Sequence, residues 1–253
     1  MKKTILMLML LLSMTLAGCG NGQDATVASS AQDNQDSSDV QTETVQAEPA
    51  AAERESNLDF TNLKIEVTEG TLYIRSGDEF TITSHKGEAL QDYEIQNGTL
   101  QFRSSHTGDT VLTLPENEQY DLLQLTLGAG HIYLEGNLEF QDLKLEVAQG
   151  EATLDDISII KDSAITVKQG SAFLTGSLGE TITADCKEGH LGLALQASQT
   201  DYNYELTLSN GGNIRFGSEN YHNRSLSKTI DNHASQSCKL TCSRGDLSVE
   251  FKN

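Results

Sequence analysis

Between Leu143 and Leu193, apolar and polar residues alternate in short runs that break at a glycine and then resume: LKLEVAQGEATL, AITVKQGSAFL and TITADCKEGHLGL. The glycines, Gly150, Gly170 and Gly189, are 20 and 19 residues apart. A period of two marks a strand with one face buried, and a break at constant phase marks a corner. A repeat of this size cannot bury its own apolar face, so each copy must stack on its neighbours. The pattern predicts an all-β chain folded as a parallel β-helix, or β-solenoid.

Aligning on the glycine extends the repeat to eight anchors: Gly70, Gly98, Gly130, Gly150, Gly170, Gly189, Gly211 and Gly245. Two and four residues after the anchor the positions are apolar, as in Leu72 and Ile74, Leu100 and Phe102, or Ala172 and Leu174. Three before it stand Val67, Ile95, Leu127, Val147, Val167, Cys186, Leu208 and Cys242. The Gly211 copy fits when Gly212 is an inserted bulge residue, which brings Ile214 and Phe216 into phase. A third short strand is expected to complete each turn, as in FTIT (80–83), TVLTL (110–114) and ISII (157–160). The expectation is about eight coils of ~20 residues, with the anchor glycines adopting positive φ at a sharp corner. Longer spacings place loops leaving the stack at Ser84–Asp92, Ser104–Asp109 and Gly217–Ser237.

Outside the repeat, the chain opens with Met1-Lys2-Lys3 and an apolar run, Thr4–Leu16, shorter than a bilayer span and laid out as an export signal. It ends in Leu16-Ala17-Gly18-Cys19, which resembles the lipobox of bacterial lipoproteins. That resemblance implies a signal peptide over 1–18 and a mature chain that starts at lipidated Cys19. Residues 19–57 are rich in Gln, Asp, Ser, Thr, Ala and Glu, and too poor in large apolar side chains to offset chain entropy. They read as a disordered acidic tether, leaving 58–253 as the β domain.

Charge narrows the partners. The domain has 29 acidic and 14 basic residues, a net of −15, which disfavours nucleic acid because phosphate contacts need lysine and arginine. By the lipobox resemblance, the membrane is expected to be reached through lipidated Cys19 instead. Candidate chemistry is sparse. His131 and His190 share a phase three coils apart, about 14 Å, too far to ligate one ion. His222 and His233 fall in a polar stretch with no ligand set at suitable spacing. Cys186 and Cys242 share an inward column but, in sequence order, lie two coils apart, or about 9.6 Å, beyond the reach of a bridge. Cys238 and Cys242 are separated along one strand. Asp155 and Asp156 are expected to bond the local backbone at a corner. No metal, cofactor or catalytic residue is assigned, and the expectation is a protein that is not an enzyme.

The repeated phrase, apolar-x-apolar-x-x-Gly-x-apolar-x-apolar behind an export signal, resembles the putative-adhesin family of bacterial β-solenoids, catalogued as a domain of unknown function. The resemblance covers 58–253 and implies a lipid-anchored extracytoplasmic module that binds or scaffolds at the cell envelope. A sensor of envelope stress and, less favoured, a glycan-active enzyme are the other readings. A binding face is expected three residues after the anchor, where the column reads Tyr73, Gln101, Tyr133, Thr153, Phe173. Its aromatics, on alternate coils about 9.6 Å apart, suit an envelope glycan or a surface protein.

Overall fold

The computed structural model describes residues 58–104, 107–222 and 225–252; the expected signal peptide, lipidated Cys19 and tether lie outside them. The described residues form 19 strands and one 3₁₀ turn, Gln199–Asp201. In chain order the strands are β1 Asn62–Val67, β2 Thr71–Gly77, β3 Thr81–Ser84, β4 Tyr93–Gln96, β5 Thr99–Ser104, β6 Asp109–Pro115 and β7 Tyr120–Leu127. There follow β8 His131–Glu135, β9 Glu139–Val147, β10 Glu151–Val167, β11 Ser171–Leu178, β12 Thr181–Cys186 and β13 His190–Leu195. The last are β14 Tyr202–Leu208, β15 Asn213–Phe216, β16 Glu219–His222, β17 Leu226–Ile230, β18 Gln236–Cys242 and β19 Asp246–Phe251.

They pair as one mixed sheet built on two parallel ladders. The first ladder runs β5, β1, β7, β9, the second half of β10, β12, β18, β14. The second runs β6, β2, β8, the first half of β10, β11, β13, β19, β15. The chain crosses from first to second ladder at each corner glycine. Neighbours in the centre are offset by the period read from sequence: Leu145 pairs with Ile165, and Ala152 with Ala172.

At both ends the spatial order departs from the chain order. The pair β5–β6 sits outside β1–β2, so β1 has β5 on one side and β7 on the other. At the far end β18–β19 is inserted between β12–β13 and β14–β15. Each end is finished by antiparallel strands, β4 on β5 and β3 on β6 at one, β17 on β14 and β16 on β15 at the other.

These arrangements correct several expectations. Gly98 is not a corner anchor: Asn97 and Gly98, with φ of 53° and 70°, form the two-residue turn of the β4–β5 hairpin. Leu100 and Phe102 therefore belong to the first ladder, opposite Leu63 and Ile65, and Ile95 is exposed on β4. TVLTL is part of β6 in the second ladder, and most of FTIT is the antiparallel β3. Only ISII serves a third side, where Ile159 pairs with Phe140 and Leu178. The stretch Gly217–Ser237 holds β16 and β17 rather than a loop. The second corner has its own phased signal: Gly136, Asp156 and Gly176, with φ of 112°, 57° and 130°, stand 20 residues apart.

The corner glycines serve a purpose other than positive φ. Gly70 has φ of 79°, but Gly130, Gly150, Gly170, Gly189 and Gly245 are not among the positive-φ residues. Their carbonyls stack instead: the N–H of Glu151 donates to Gly130 O at 3.1 Å, that of Ser171 to Gly150 O at 2.9 Å, and that of His190 to Gly170 O at 3.0 Å. A Cβ on Gly150 or Gly170 would overlap the glycine carbonyl oxygen of the preceding strand pair. At the end of the column Gly212 occupies the stacked position, since its neighbour Asn213 donates to Gly245 O, and Gly211, with φ of 84°, is the extra residue.

Inward columns of Leu, Ile, Val and Ala fill the centre, with Leu123, Leu143, Leu125, Leu145, Ile165 and Val167 almost fully buried. Each large aliphatic side chain so buried contributes about 1.5–3 kcal/mol before chain entropy is counted. Aromatic clusters stand at both ends, and between them Tyr120 of β7 packs on Phe140 of β9 at 5.3 Å. Phe60, Phe80 and Tyr93 make edge contacts at one end, and Tyr204, Phe216 and Phe251 at the other.

Candidate functional site

Alternation along the second ladder turns Tyr73, Tyr133, Thr153 and Phe173 outward while Leu72, Ile132, Ala152 and Ala172 turn inward. Tyr73 and Tyr133 are direct register partners in β2 and β8, and Tyr133 is followed by Thr153 and Phe173 on the next two strands. The expected alternation of aromatics is therefore incorrect at this end. Gln101 belongs to the first ladder, opposite Lys64, and its removal closes the gap: the Tyr73 and Tyr133 rings stack at 5.4 Å with 18° between planes.

Tyr73 and Phe173 are 38% and 45% exposed, high for side chains of their size, and Tyr133 is half-buried between its neighbours. The imidazole of His131, two residues earlier on the same strand, lies parallel to the Tyr133 ring at 6.1 Å. Phe173 lies across Gly192: a Cβ there would fall 2.8 Å from Phe173 Cδ1. The glycine thus makes room for the ring to lie against the backbone. Around the aromatics stand ionic and hydroxylic groups, with His131 Nδ1 3.9 Å from a Glu151 oxygen and the Thr175 hydroxyl donating to Asp155 at 2.7 Å. The column offers aromatic surface for the apolar face of a sugar ring or a partner's side chain, with polar groups alongside to hydrogen-bond it.

Other candidates separate on inspection. His190 Nδ1 is 3.2 Å from Asp246, and His131 is three strands away, each histidine facing an acid on an adjacent strand. His233, with φ of 57°, lies 3.4 Å from Asp231, a carboxylate that the sequence reading overlooked, while His222 ends β16. No group of three or more His, Cys, Asp or Glu is placed to hold a metal among the described residues. Asp155 and Asp156 bond across strand pairs rather than to the local backbone: Asp155 accepts from Thr175, and Asp156 accepts from the Gln196 amide at 2.8 Å.

The cysteine expectation is overturned in one respect. Cys186 and Cys242 are register partners in adjacent strands, because β18 and not β14 follows β12. The two thiols stand side by side in the buried column, and their interaction raises the pKa of Cys186, with burial adding to it, and lowers that of Cys242. Cys238 is buried and its pKa is pushed up to about 12 by desolvation, so it is unreactive as it stands.

The sequence reading also missed a groove of about 650 Å³ along the corner arcs, lined by Gln149, Lys168, Gln169, Lys187, Glu188 and Arg244 among others. Its cations stand one or two residues before successive anchor glycines, a clustering visible in an otherwise acidic domain. Two of them are neutralised locally, Lys168 by Glu146 and Arg244 by Glu188.

No protein-family model matches the chain, and no curated protein matches it. Among solved structures it is similar to one described as a putative cell adhesion protein from Clostridium sporogenes, at 11% identity over 77% of this chain and 94% of that one, with a TM-score of 0.40. It is also similar to one described as a putative adhesin from Bacteroides fragilis, at 13% identity over 76% of this chain and 94% of that one, with a TM-score of 0.37.

Proposed function

We propose that the two ladders are the walls of a β-solenoid of eight coils, counted from the eight strands in each, and that it acts as an adhesin-like binding or scaffold module. Cys19 tethers it, through its lipid, to the outer face of a bacterial membrane. The observation that carries the binding role is the outward column of Tyr73, Tyr133 and Phe173 on a hydrogen-bonded parallel ladder. A ladder fixes the spacing of side chains that a loop would leave free, and fixed aromatics bind with little further loss of entropy.

The combined substitutions Tyr73→Ala, Tyr133→Ala and Phe173→Ala are expected to reduce binding to purified envelope glycan or whole envelopes at least tenfold, with the thermal midpoint lowered by only a few degrees. Unchanged binding by a folded triple variant would remove this face from the account. For the anchor, Cys19→Ala is expected to abolish incorporation of a labelled fatty acid and to release the protein from the membrane fraction. Continued labelling of the alanine variant would overturn the lipoprotein reading.

A further inference from the structure

Cys186 ends β12 and Cys242 ends β18, and they face each other across adjacent parallel strands only because the last strand pair is inserted out of chain order. Adjacent strands place paired Cα atoms about 4.8 Å apart, within the ~4.4–6.8 Å that a disulfide spans. Both side chains are fully buried and stand side by side in the register of β12 and β18. The sulfurs point the same way along the column. Cys186 Sγ lies 3.2 Å from Gly189 O, and Cys242 Sγ lies 3.0 Å from Gly245 O. Glycine leaves the room they occupy, since a Cβ on Gly245 would stand 2.7 Å from Cys186 Sγ and one on Gly212 would stand 3.0 Å from Cys242 Sγ. In the neighbouring strand pairs the same inward position holds Val67, Leu127, Val147, Val167 and Leu208. Sulfur replaces hydrocarbon there at two adjacent levels, those of β12 and the inserted strand.

We propose that Cys186 and Cys242 form a cross-strand disulfide that fastens the inserted strand pair β18–β19 to the body of the stack. The oxidant is a disulfide, either of a thiol–disulfide oxidoreductase or of a small molecule. One cysteine thiolate attacks a sulfur of that disulfide, forming a mixed disulfide and expelling one oxidant thiolate. The second cysteine thiolate then displaces the other, so two protein thiols are oxidised, two oxidant thiols are formed, and the protons lost by the cysteines are taken up by the departing thiolates. Full burial sets the timing: the exchange takes place while β18–β19 is entering, before the corner closes over the sulfurs. In the cell it depends on the export reading, which supplies the oxidising compartment. Cys238, paired with Ile182 and Tyr204, has no thiol opposite it and serves as an internal control.

The test unfolds the full chain and refolds it with oxidised and reduced glutathione, then alkylates, digests and analyses it by mass spectrometry. The expected product is a peptide linking Cys186 to Cys242, with Cys238 alkylated only after denaturation. The oxidised protein should melt roughly 5–15 °C above the reduced one, and Cys242→Ala should lose both the link and the increment. Three alkylatable thiols in protein that has refolded, or Cys238 linked as often as Cys242, would overturn the proposal. The link in refolded protein but not in protein recovered from cells supports the site and counts against export.

Discussion

A chain that stops after Ser235 is expected to lose cooperative structure from β12 onward while keeping it in β7–β11. The missing segment is not a dispensable end. Strands β18 and β19 lie between β12–β13 and β14–β15, and they bury Cys238, Leu240, Cys242, Leu247 and Val249. At about 1.5–3 kcal/mol for each larger aliphatic side chain, their loss rivals the whole stability of a typical domain. The centre survives because stacked repeats are stabilised chiefly by their nearest neighbours. Hydrogen exchange read by mass spectrometry checks this: amides of Tyr202–Leu208 should exchange as in an unfolded chain, and those of Leu143–Val147 should stay protected. Protection retained at Tyr202–Leu208 would mean that β14 re-pairs directly with β12, and that the order of the strands is interchangeable.

Gly170→Ala is expected to cost about 2–4 kcal/mol, far more than a substitution at an outward-facing, half-buried strand position such as Thr166→Lys, expected under ~0.5 kcal/mol. The methyl group would overlap Gly150 O, the acceptor of the Ser171 N–H, so relief requires the two strand pairs to separate where they hydrogen-bond. Gly98→Ala makes the informative contrast. Its φ is 70° and nothing lies within 4 Å of a Cβ, so only backbone strain opposes the change, about 1 kcal/mol. Asparagine tolerates the left-handed region, and so Gly98→Asn should be mild while Gly170→Asn should be at least as severe as the alanine. Urea melts of the five variants separate the two kinds of glycine. Equal tolerance at positions 98 and 170 would contradict the stacked-carbonyl account.

The centre of the fold was legible because each of its strand pairs repeats the same inward columns at nearly the same spacing, so Val147, Val167 and Cys186 could be aligned without a structure. The ends were not, and the reason is physical. Every strand pair presents the same kind of apolar column to its neighbours, so the pattern names which residues face inward but not which pair lies next to which. Both Leu208 and Cys242 suit the position beside Cys186, and only the three-dimensional arrangement selects Cys242. The stacking of Tyr73 on Tyr133 was hidden for the same reason. Some misses were avoidable: Asn97-Gly98 is a strong two-residue hairpin signal, which the search for a phased glycine overrode. The glycine's cause was also misassigned, because sequence marks where a side chain is absent and not whether φ or a neighbouring carbonyl forbids one.

The antiparallel strands at the two ends decide whether this architecture stops. A parallel ladder in register, with strands about 4.8 Å apart and every backbone group paired to the level above and below, is also the geometry of a growing fibril. Nothing in such a ladder limits its length, since the last level offers the next copy the same template as the first. By reversing direction, β3 and β4 at one end and β16 and β17 at the other replace that template with a different hydrogen-bond pattern. Two copies meeting end to end would otherwise present matching templates to each other, and these four short strands oppose that continuation.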